Sequence, residues 1–472
     1  MEVTTLGSVA AMVQGQVDEG STSAQVGPDV VVDSRLVTPG ALFVALGGER
    51  TDGHRFVQAA LDAGAGGALV AQEPGPNRVL VPSTAQALAD LAREVVVANP
   101  RLTVLGITGS SGKTSTKDLV AQVLETAGET VAPQGSHNNE IGVPLTALRV
   151  RSGTAYLVSE MGARGSGHIR WLCDLVRPRV GVMLNVGSAH LGEFGSVEQI
   201  AAAKAELVQE LPSDGWAVLN ADDPRVVRMA EITPAQVAWF SVTGDPGSGP
   251  LRVWASDLVA DSQQRYGFML HAVRDQRSSV EAVQLRVSGE HQVANAVAAA
   301  AASLAAGLSP QQVAQALNRA VVRSRWRMEV VQRADQVTVI NDAYNANPDS
   351  MRAAIRTAGR LLRTAQQERP EAKLFAVFGE MLELGRIAAA AHQEVGRLVA
   401  QEGASVVLGI GDHAEQIVAG AVSAGADAVR LESREQAVQH LRDLRAGDVV
   451  LIKASRGIGL ETVAAAILGA SC

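Results

Sequence analysis

Short apolar runs bounded by turn residues alternate along the chain with longer segments whose apolar residues recur every third or fourth position. The first pattern marks strands buried on both faces and the second marks amphipathic helices. The chain therefore reads as successive βα units forming mostly parallel sheets, an α/β fold. A helix predicted over Ala85–Asn99 stops at Pro100, and a strand over Thr103–Ile107 follows at once. A second break falls at Val321–Arg327, between a helix over Pro310–Ala320 and a strand pair within Met328–Ile340. The breaks predict three domains: a small α/β domain over 1–100, a central mononucleotide-binding domain over 101–323, and a Rossmann-like domain over 324–472. Within the central domain, Leu251–Val287 alternates polar and apolar residues and predicts an antiparallel excursion.

The last domain has the cleanest repeat. Strands are predicted over Lys373–Phe378, Ser405–Ile410, Ala428–Leu431 and Asp448–Ile452. Helices are predicted over Ser350–Thr364, Ala389–Gln401, Ala414–Ala424, Arg434–Leu444 and Leu460–Leu468. That order makes a doubly wound sheet, which takes its ligands at the carboxyl ends of its strands.

Composition changes the picture in few places. Only 3% of the 472 residues are aromatic against 47% hydrophobic, so Ala, Val, Leu and Gly must fill cores in which helices lie close on a sheet. A net charge of −8 with interspersed signs leaves no polyanion-binding surface and no polybasic membrane patch, so neither nucleic acid nor membrane insertion is expected. The alanine-rich run Val293–Gly307 is too short to span a bilayer. Met1–Gln16 has no basic residue ahead of a hydrophobic run, unlike a secretory signal. Two cysteines, Cys173 and Cys472, supply neither a disulfide framework nor a cysteine-rich zinc site. The expectation is a cytoplasmic monomer.

The sharpest chemical signal is Gly109-Ser110-Ser111-Gly112-Lys113-Thr114-Ser115, between a β-branched strand and a helix predicted to continue to Thr126. Glycines let backbone N–H groups converge on phosphate, and the helix N-terminus adds partial positive charge. Lys113 would reach the β- and γ-phosphates, and the Thr114 hydroxyl would ligate Mg²⁺. Ile107 stands where the strict GxxxxGK[ST] pattern has glycine, so the motif is the tighter Gly-x-x-Gly-Lys-Thr form. A glycine-rich turn with an incidental lysine is the bland alternative, and the strand–loop–helix context argues against it.

Two further strand tips carry candidate metal ligands. The strand over Ala155–Ser159 delivers Glu160, and the strand over Val180–Asn185 leads to His190. A carboxylate and an imidazole there could bind a metal bridging nucleotide and substrate, or could cap helices and loops; spacing does not separate the two, and Mg²⁺ prefers oxygen to imidazole. Lys204 lies in an amphipathic helix, and its periodicity alone reads as a solvated lysine. In Asn341-Asp342-Ala343-Tyr344-Asn345-Ala346-Asn347, four Asn/Asp residues and a tyrosine are too many for a turn alone and suit a binding loop. Lys453, Ser455 and Arg456 follow the last strand and suit an anionic ligand. The segment Ser288–Asn295 is a further candidate.

Taken in order, these segments resemble the Mur ligase superfamily of ATP-dependent amide-bond-forming enzymes, over nearly the whole chain. Asp33-Ser34-Arg35 with Pro39–Leu46 and Asp52-Gly53-His54 is similar to that family's uridine-nucleotide module, and Asn138-Asn139-Glu140-Ile141-Gly142 to its substrate-channel segment. Glu160-Met161-Gly162-Ala163 and the loop through His190 resemble its metal-binding motifs, and Lys204 falls where these ligases carry a carbamylated lysine. That implication reverses the solvated reading of Lys204. The resemblance also assigns Asn295 to the adenine side, Arg327 to ATP phosphate, and Asp342 with Tyr344, Asn345 and Asn347 to nucleotide and substrate. Gly379-Glu380-Met381 with Glu383-Leu384-Gly385 belongs to the same pattern. Ser188, Arg164 and Ala454 stand where relatives commonly have Pro, Asn and Gly.

The branch it resembles most joins D-alanyl-D-alanine to UDP-MurNAc-tripeptide through an acyl phosphate. It implies ATP, two Mg²⁺ ions held by Thr114, Glu160, His190 and carbamylated Lys204, and Lys113 and Arg327 as charge-neutralising groups. The substrates would meet Ser34, Arg35, Asn138, Asn139 and the C-terminal loops. A folylpolyglutamate-synthase-like ligase is a rival, but those enzymes lack the uridine module. A P-loop kinase or switch is another, and leaves Asn341–Pro348 and the third domain unexplained. The third stem-peptide residue is left open by the sequence.

Overall fold

The computed structural model describes residues 1–48, 51–187 and 191–469, so Ser188, His190 and Cys472 lie outside the described residues. Three main sheets follow one another along the chain. The first runs in the order Gln16–Val17, Arg78–Leu80, Gly67–Val70, Leu42–Val44, Val30–Val31, parallel except at its Gln16–Val17 edge. The helix Thr84–Val97 starts where Ser83 accepts a hydrogen bond from the Gln86 amide. Its apolar face, with Leu88, Leu91 and Val96, enters a core that also contains Leu157, Ile169 and Leu207, so the first and second sheets share packing.

Among the described residues the central sheet has nine strands. Seven are parallel, in the order Leu251–Ala260, Gln236–Ser241, Trp216–Asn220, Val180–Met183, Thr103–Thr108, Tyr156–Glu160, Thr130–Val131. Arg265–Arg274 and Arg277–Ser288 add antiparallel hairpins, the predicted excursion. Asp275 and Gln276 both take positive φ, 48° and 67°, which turns the last hairpin in two residues. The alanine-rich helix His291–Ala305 is buried nearly all round, and its small side chains let it lie between the sheet and the helix Lys113–Leu124.

The third sheet runs Glu329–Gln332, Thr338–Asn341, Val449–Lys453, Leu374–Phe378, Ala404–Ile410, Asp427–Leu431, antiparallel only at its first pair. Separate cores cover its two faces, one around Phe378, Leu451 and Ile355, the other around Val377, Ile452 and Val463, as expected of a doubly wound sheet. The helix Pro348–Glu368 begins earlier than the sequence pattern indicates, because Asn347 and Ser350 form a reciprocal capping box and Pro348 occupies the first turn. The strand expected to run to Asn185 stops at Met183 and leaves Asn185 free to turn toward the neighbouring loop.

The third unit meets the second around a cleft. Arg360 pairs with Glu290 and donates to the Tyr266 hydroxyl at 2.6 Å, and the Gly192 amide donates to Glu383 O at 3.0 Å. Between them, Ser324 is pinned where its amide donates to Asp118 at 3.0 Å and Lys117 reaches its hydroxyl at 3.4 Å.

Candidate active site

Glycines in the central strands determine what lies beneath the phosphate loop. A Cβ on Gly106 or on Gly181 would come within 2.9 Å of a methyl of Leu207 or Leu211. Their absence lets the helix Val197–Gln209 press against the sheet, which brings Lys204 under the loop. The sequence periodicity put Lys204 on a solvated face; the structure overturns that reading, since Lys204 is 2% exposed. Its amine donates to Gly109 O at 3.2 Å, and the Lys113 amine donates to the same carbonyl at 2.7 Å. Burial, with the Lys113 charge beside it, holds Lys204 well below the ordinary lysine range and favours the free amine. Burial also lowers Lys113, with the Glu160 charge opposing and Arg327 adding to the effect.

Gly112 caps the helix Lys113–Leu124 at φ 81°, and a Cβ there would sit 2.5 Å from the Asn295 amide oxygen. Backbone conformation and close approach both require glycine. Asn295 accepts from Thr116 at 3.3 Å and donates to Gln292 at 2.9 Å, so it braces the loop from below. Above the loop, the side-chain oxygen of Asn185 accepts from the amides of Ser110 at 3.1 Å and Ser111 at 3.0 Å. The resemblance places Asn185 in the loop that leads to His190 but gives it no contact of its own; its position at a strand tip was the available signal.

Glu160 is 1% exposed at the end of Tyr156–Glu160. One carboxylate oxygen accepts from the Asn138 side chain at 2.8 Å, and the other is buried without a hydrogen-bond partner. An orphaned carboxylate oxygen in the cavity that the buried Thr114 hydroxyl also lines fits an oxygen-preferring cation. Among the described residues no three His, Cys, Asp or Glu side chains cluster as a metal site, and His190 lies outside them.

The facing wall comes from the third sheet. Trp326 and Met328 take positive φ, 60° and 48°, on either side of Arg327. The Arg327 guanidinium lies 4.2 Å from the Tyr344 ring centroid, and the Tyr344 hydroxyl is 2.5 Å from Ser136 Oγ. Asp342 accepts from the Met328 amide at 3.0 Å and from the buried Lys453 amine at 2.5 Å, and that amine also donates to Asn345 O at 2.8 Å. The Asn347 side-chain oxygen is used in its helix cap. Ser455 accepts from the Leu382 amide at 3.0 Å, and Arg456 lies over Trp326 and pairs with Glu461.

The two walls enclose a cavity of about 600 Å³. It gathers Ser110–Ser115, Asn138, Asn139, Glu160, Asn295, Arg327, Asp342, Tyr344, Asn345, Asn347, Lys453, Ser455 and Arg456. Gly109 and Lys204 lie directly beneath it. Ser34 and Arg35 do not line it; they follow the strand Val30–Val31 of the first sheet. There Arg35 is exposed and forked onto Asp33, whose carboxyl it holds down at about 2.

Three family models cover most of the chain: "Mur ligase family, catalytic domain" over 29–96, "Mur ligase middle domain" over 107–303, and "Mur ligase, glutamate ligase domain" over 326–456. The chain belongs to the Mur ligase family. A Mur ligase of Mycobacterium tuberculosis, UDP-N-acetylmuramoyl-tripeptide–D-alanyl-D-alanine ligase, is 44% identical over 98% of this chain and 97% of its own. A crystal structure of MurF from Acinetobacter baumannii superposes with a TM-score of 0.84 at 30% identity, covering 99% of both chains. Another from that organism is titled UDP-N-acetylmuramoylalanyl-D-glutamyl-2,6-diaminopimelate–D-alanyl-D-alanyl ligase, with a TM-score of 0.82 at 29% identity and 99% coverage of both. MurF of Thermotoga maritima, in complex with ADP, gives 0.76 at 28% identity over 93% of this chain and 97% of that one.

Proposed function

We propose that this Mur ligase uses ATP to join D-alanyl-D-alanine to UDP-MurNAc-tripeptide, forming the pentapeptide precursor of peptidoglycan. The observation that carries this reading is the opposition, across one cavity, of a phosphate loop with a buried, half-satisfied carboxylate and a wall of buried charge from another sheet. A carboxylate is a poor acylating agent. Its oxygen attacks the γ-phosphorus, the bond to ADP breaks, and an acyl phosphate results. The dipeptide amine then attacks the acyl carbon, a tetrahedral intermediate collapses, and phosphate leaves.

Each step crowds anionic oxygens together. Lys113 would move from Gly109 O to the β- and γ-phosphates, and Arg327, braced on Tyr344, would face the transferring group. The Ser110 and Ser111 amides would exchange Asn185 for phosphate. Thr114, Glu160 and carbamylated Lys204 would hold Mg²⁺, with His190 as the further ligand the family resemblance implies, and two ions are proposed in all. Bound there, Mg²⁺ would supply charge neutralisation for the anionic oxygens. Carbamylation requires a neutral amine, which the burial of Lys204 favours.

Residues 1–100 are assigned the uridine nucleotide, 101–323 ATP and metal, and 324–472 the dipeptide and closure, following the three sheets. In this reading the working unit is a monomer. No helix among the described residues is long and apolar enough to cross a membrane. The reading assigns the reaction to the cytoplasm, where soluble nucleotide-linked substrates would be met. The test is phosphate release measured with each substrate omitted in turn. Release must require both UDP-MurNAc-tripeptide and D-Ala-D-Ala and match amide formation; release independent of the dipeptide would refute the assignment.

A further inference from the structure

The helix Lys113–Leu124 begins at the phosphate loop, and one turn further on it grips the segment that leads into the third unit. Lys117 and Asp118, 1% and 7% exposed, are paired with each other. The Lys117 amine also donates to Pro133 O at 3.0 Å and to Ser324 Oγ at 3.4 Å, so all three of its protons are used. The second Asp118 oxygen accepts from the Ser324 amide at 3.0 Å. None of these four residues lines the cavity described above.

Two short routes lead from the pair to Arg327. Along the chain, Arg327 is three residues past Ser324, at most about 11 Å of extended backbone. One residue later the Met328 amide is fixed on Asp342 of the third sheet. Through space, Pro133 stands three residues before Ser136, whose hydroxyl meets that of Tyr344 at 2.5 Å, and the Arg327 guanidinium lies over that ring at 4.2 Å. Arg327 Nε is buried without a hydrogen-bond partner, so the ring beneath it and the backbone that carries it decide where the guanidinium sits. Its charge reaches Lys113 on one wall and Lys453 on the other.

Attachment alone does not require the buried pair. Nearer the surface, the Gln122 side chain bonds both backbone groups of Val321 at 3.0 Å, and Arg323 forks onto Glu125 at 2.5 and 2.6 Å. A buried ion pair adds little net stability, because desolvation offsets attraction; with its bonds all made, what it adds is a single geometry. We infer that Lys117 and Asp118 are positioning residues for phosphoryl transfer, which through Ser324 and Pro133 set where Arg327 enters over the phosphate loop. At the helical rise their anchor lies about 6–8 Å along the same rigid helix from Lys113. The group that takes the phosphates and the anchor of the arginine facing it therefore move as one body. This rests on the ligase reading above, which puts Arg327 on the transferring group.

The test is a double-mutant cycle on kcat, read as dipeptide-dependent phosphate release with all substrates saturating. Lys117→Met with Asp118→Leu removes the pair and leaves no unpaired charge. In the parent background kcat should fall about 10- to 100-fold, the effect of displacing a charge-stabilising group by about 1 Å, while KM for ATP and for UDP-MurNAc-tripeptide changes less than about threefold. In Arg327→Ala there is no guanidinium to place, so the same replacement should change residual turnover less than about threefold. Equal fold losses in the two backgrounds would overturn the inference, because the pair would then act independently of Arg327. So would an undiminished kcat in the parent background. Ser324→Ala leaves the pair intact and carries the same cycle should the double replacement fail to fold. A loss of about 2- to 5-fold confined to the parent background is expected of it, and no loss, or the same loss in both, would overturn the inference. A parent enzyme without dipeptide-dependent phosphate release would instead overturn the ligase reading, and the inference with it.

Discussion

The Asp342–Lys453 pair is the most consequential buried interaction in the third unit. Both side chains sit at the carboxyl tips of adjacent parallel strands, 12% and 2% exposed, with 2.5 Å between amine and carboxylate. Burial pulls Lys453 below the ordinary lysine value, while the Asp342 charge and hydrogen bond push it back up. Asp342→Asn keeps the shape and the acceptor for the Met328 amide but removes the countercharge, leaving a buried ammonium with the Asn345 carbonyl as its main partner. Breaking a buried pair from one side costs about 3–5 kcal/mol. In a unit of this size each kcal/mol is worth about 2–4 °C, so the variant should melt about 6–20 °C lower at pH 7.

The pH dependence has a definite sign. Without Asp342 the folded-state pKa of Lys453 falls further below the unfolded value of 10.5. Between those two values the unfolded chain binds the extra proton, so stability rises with pH through that window. The deficit of Asp342→Asn should thus be largest near neutrality and shrink as pH approaches that unfolded value. Replacing both residues, Asp342→Leu with Lys453→Met, should recover part of the lost stability, since an apolar pair carries no charge to desolvate, while the Met328 amide loses its acceptor. Calorimetric melts at pH 7 and 9.5 on the parent and the two variants read this directly. A single variant within about 1 kcal/mol of the parent, where 3–5 is expected, would refute the reasoning. So would a deficit that does not change with pH.

Three further outcomes follow from the geometry. Lys204→Met should raise the melting temperature, because it removes a buried amine bonded to one shared carbonyl, while abolishing turnover; Lys204→Ala should regain part of its activity with an added short-chain carboxylic acid, and no rescue at any concentration would count against the carbamate. Gly192→Ala would put a methyl 2.8 Å from Gly385 N and 2.9 Å from Glu383 O across the cleft, so kcat should fall with little change in binding of the UDP substrate; small-angle scattering that still showed full closure on adding nucleotide would contradict this. Glu206 is buried and accepts from the Gly167 amide at 2.5 Å and the Arg170 amide at 3.0 Å, capping the helix His168–Val176. Glu206→Ala strands those donors and should cost about 1–3 kcal/mol in denaturant melts.

Which residues the sequence could place, and which it could not, follows from where their partners lie. The phosphate loop was legible because strand, glycines, Lys113 and Thr114 are contiguous, and a local motif carries its own geometry. The doubly wound sheet was legible because periodicity is local too. Lys204 was not, and its case shows why. Its helix was correctly seen as amphipathic, but what buries the lysine is the missing side chain at Gly106 and Gly181, in two strands remote from it in sequence. Asn185 escaped for the same reason, since the amides it holds lie 74 and 75 residues away. Asn347 shows a different case: it lines the cavity as the resemblance implies, yet its side-chain oxygen is spent on a helix cap. Residue type identified the groups that can carry charge. The tertiary approach of glycine-lined strands decided which of those charges are desolvated: it holds the Lys204 amine well below the ordinary lysine range and leaves one Glu160 oxygen buried without a partner.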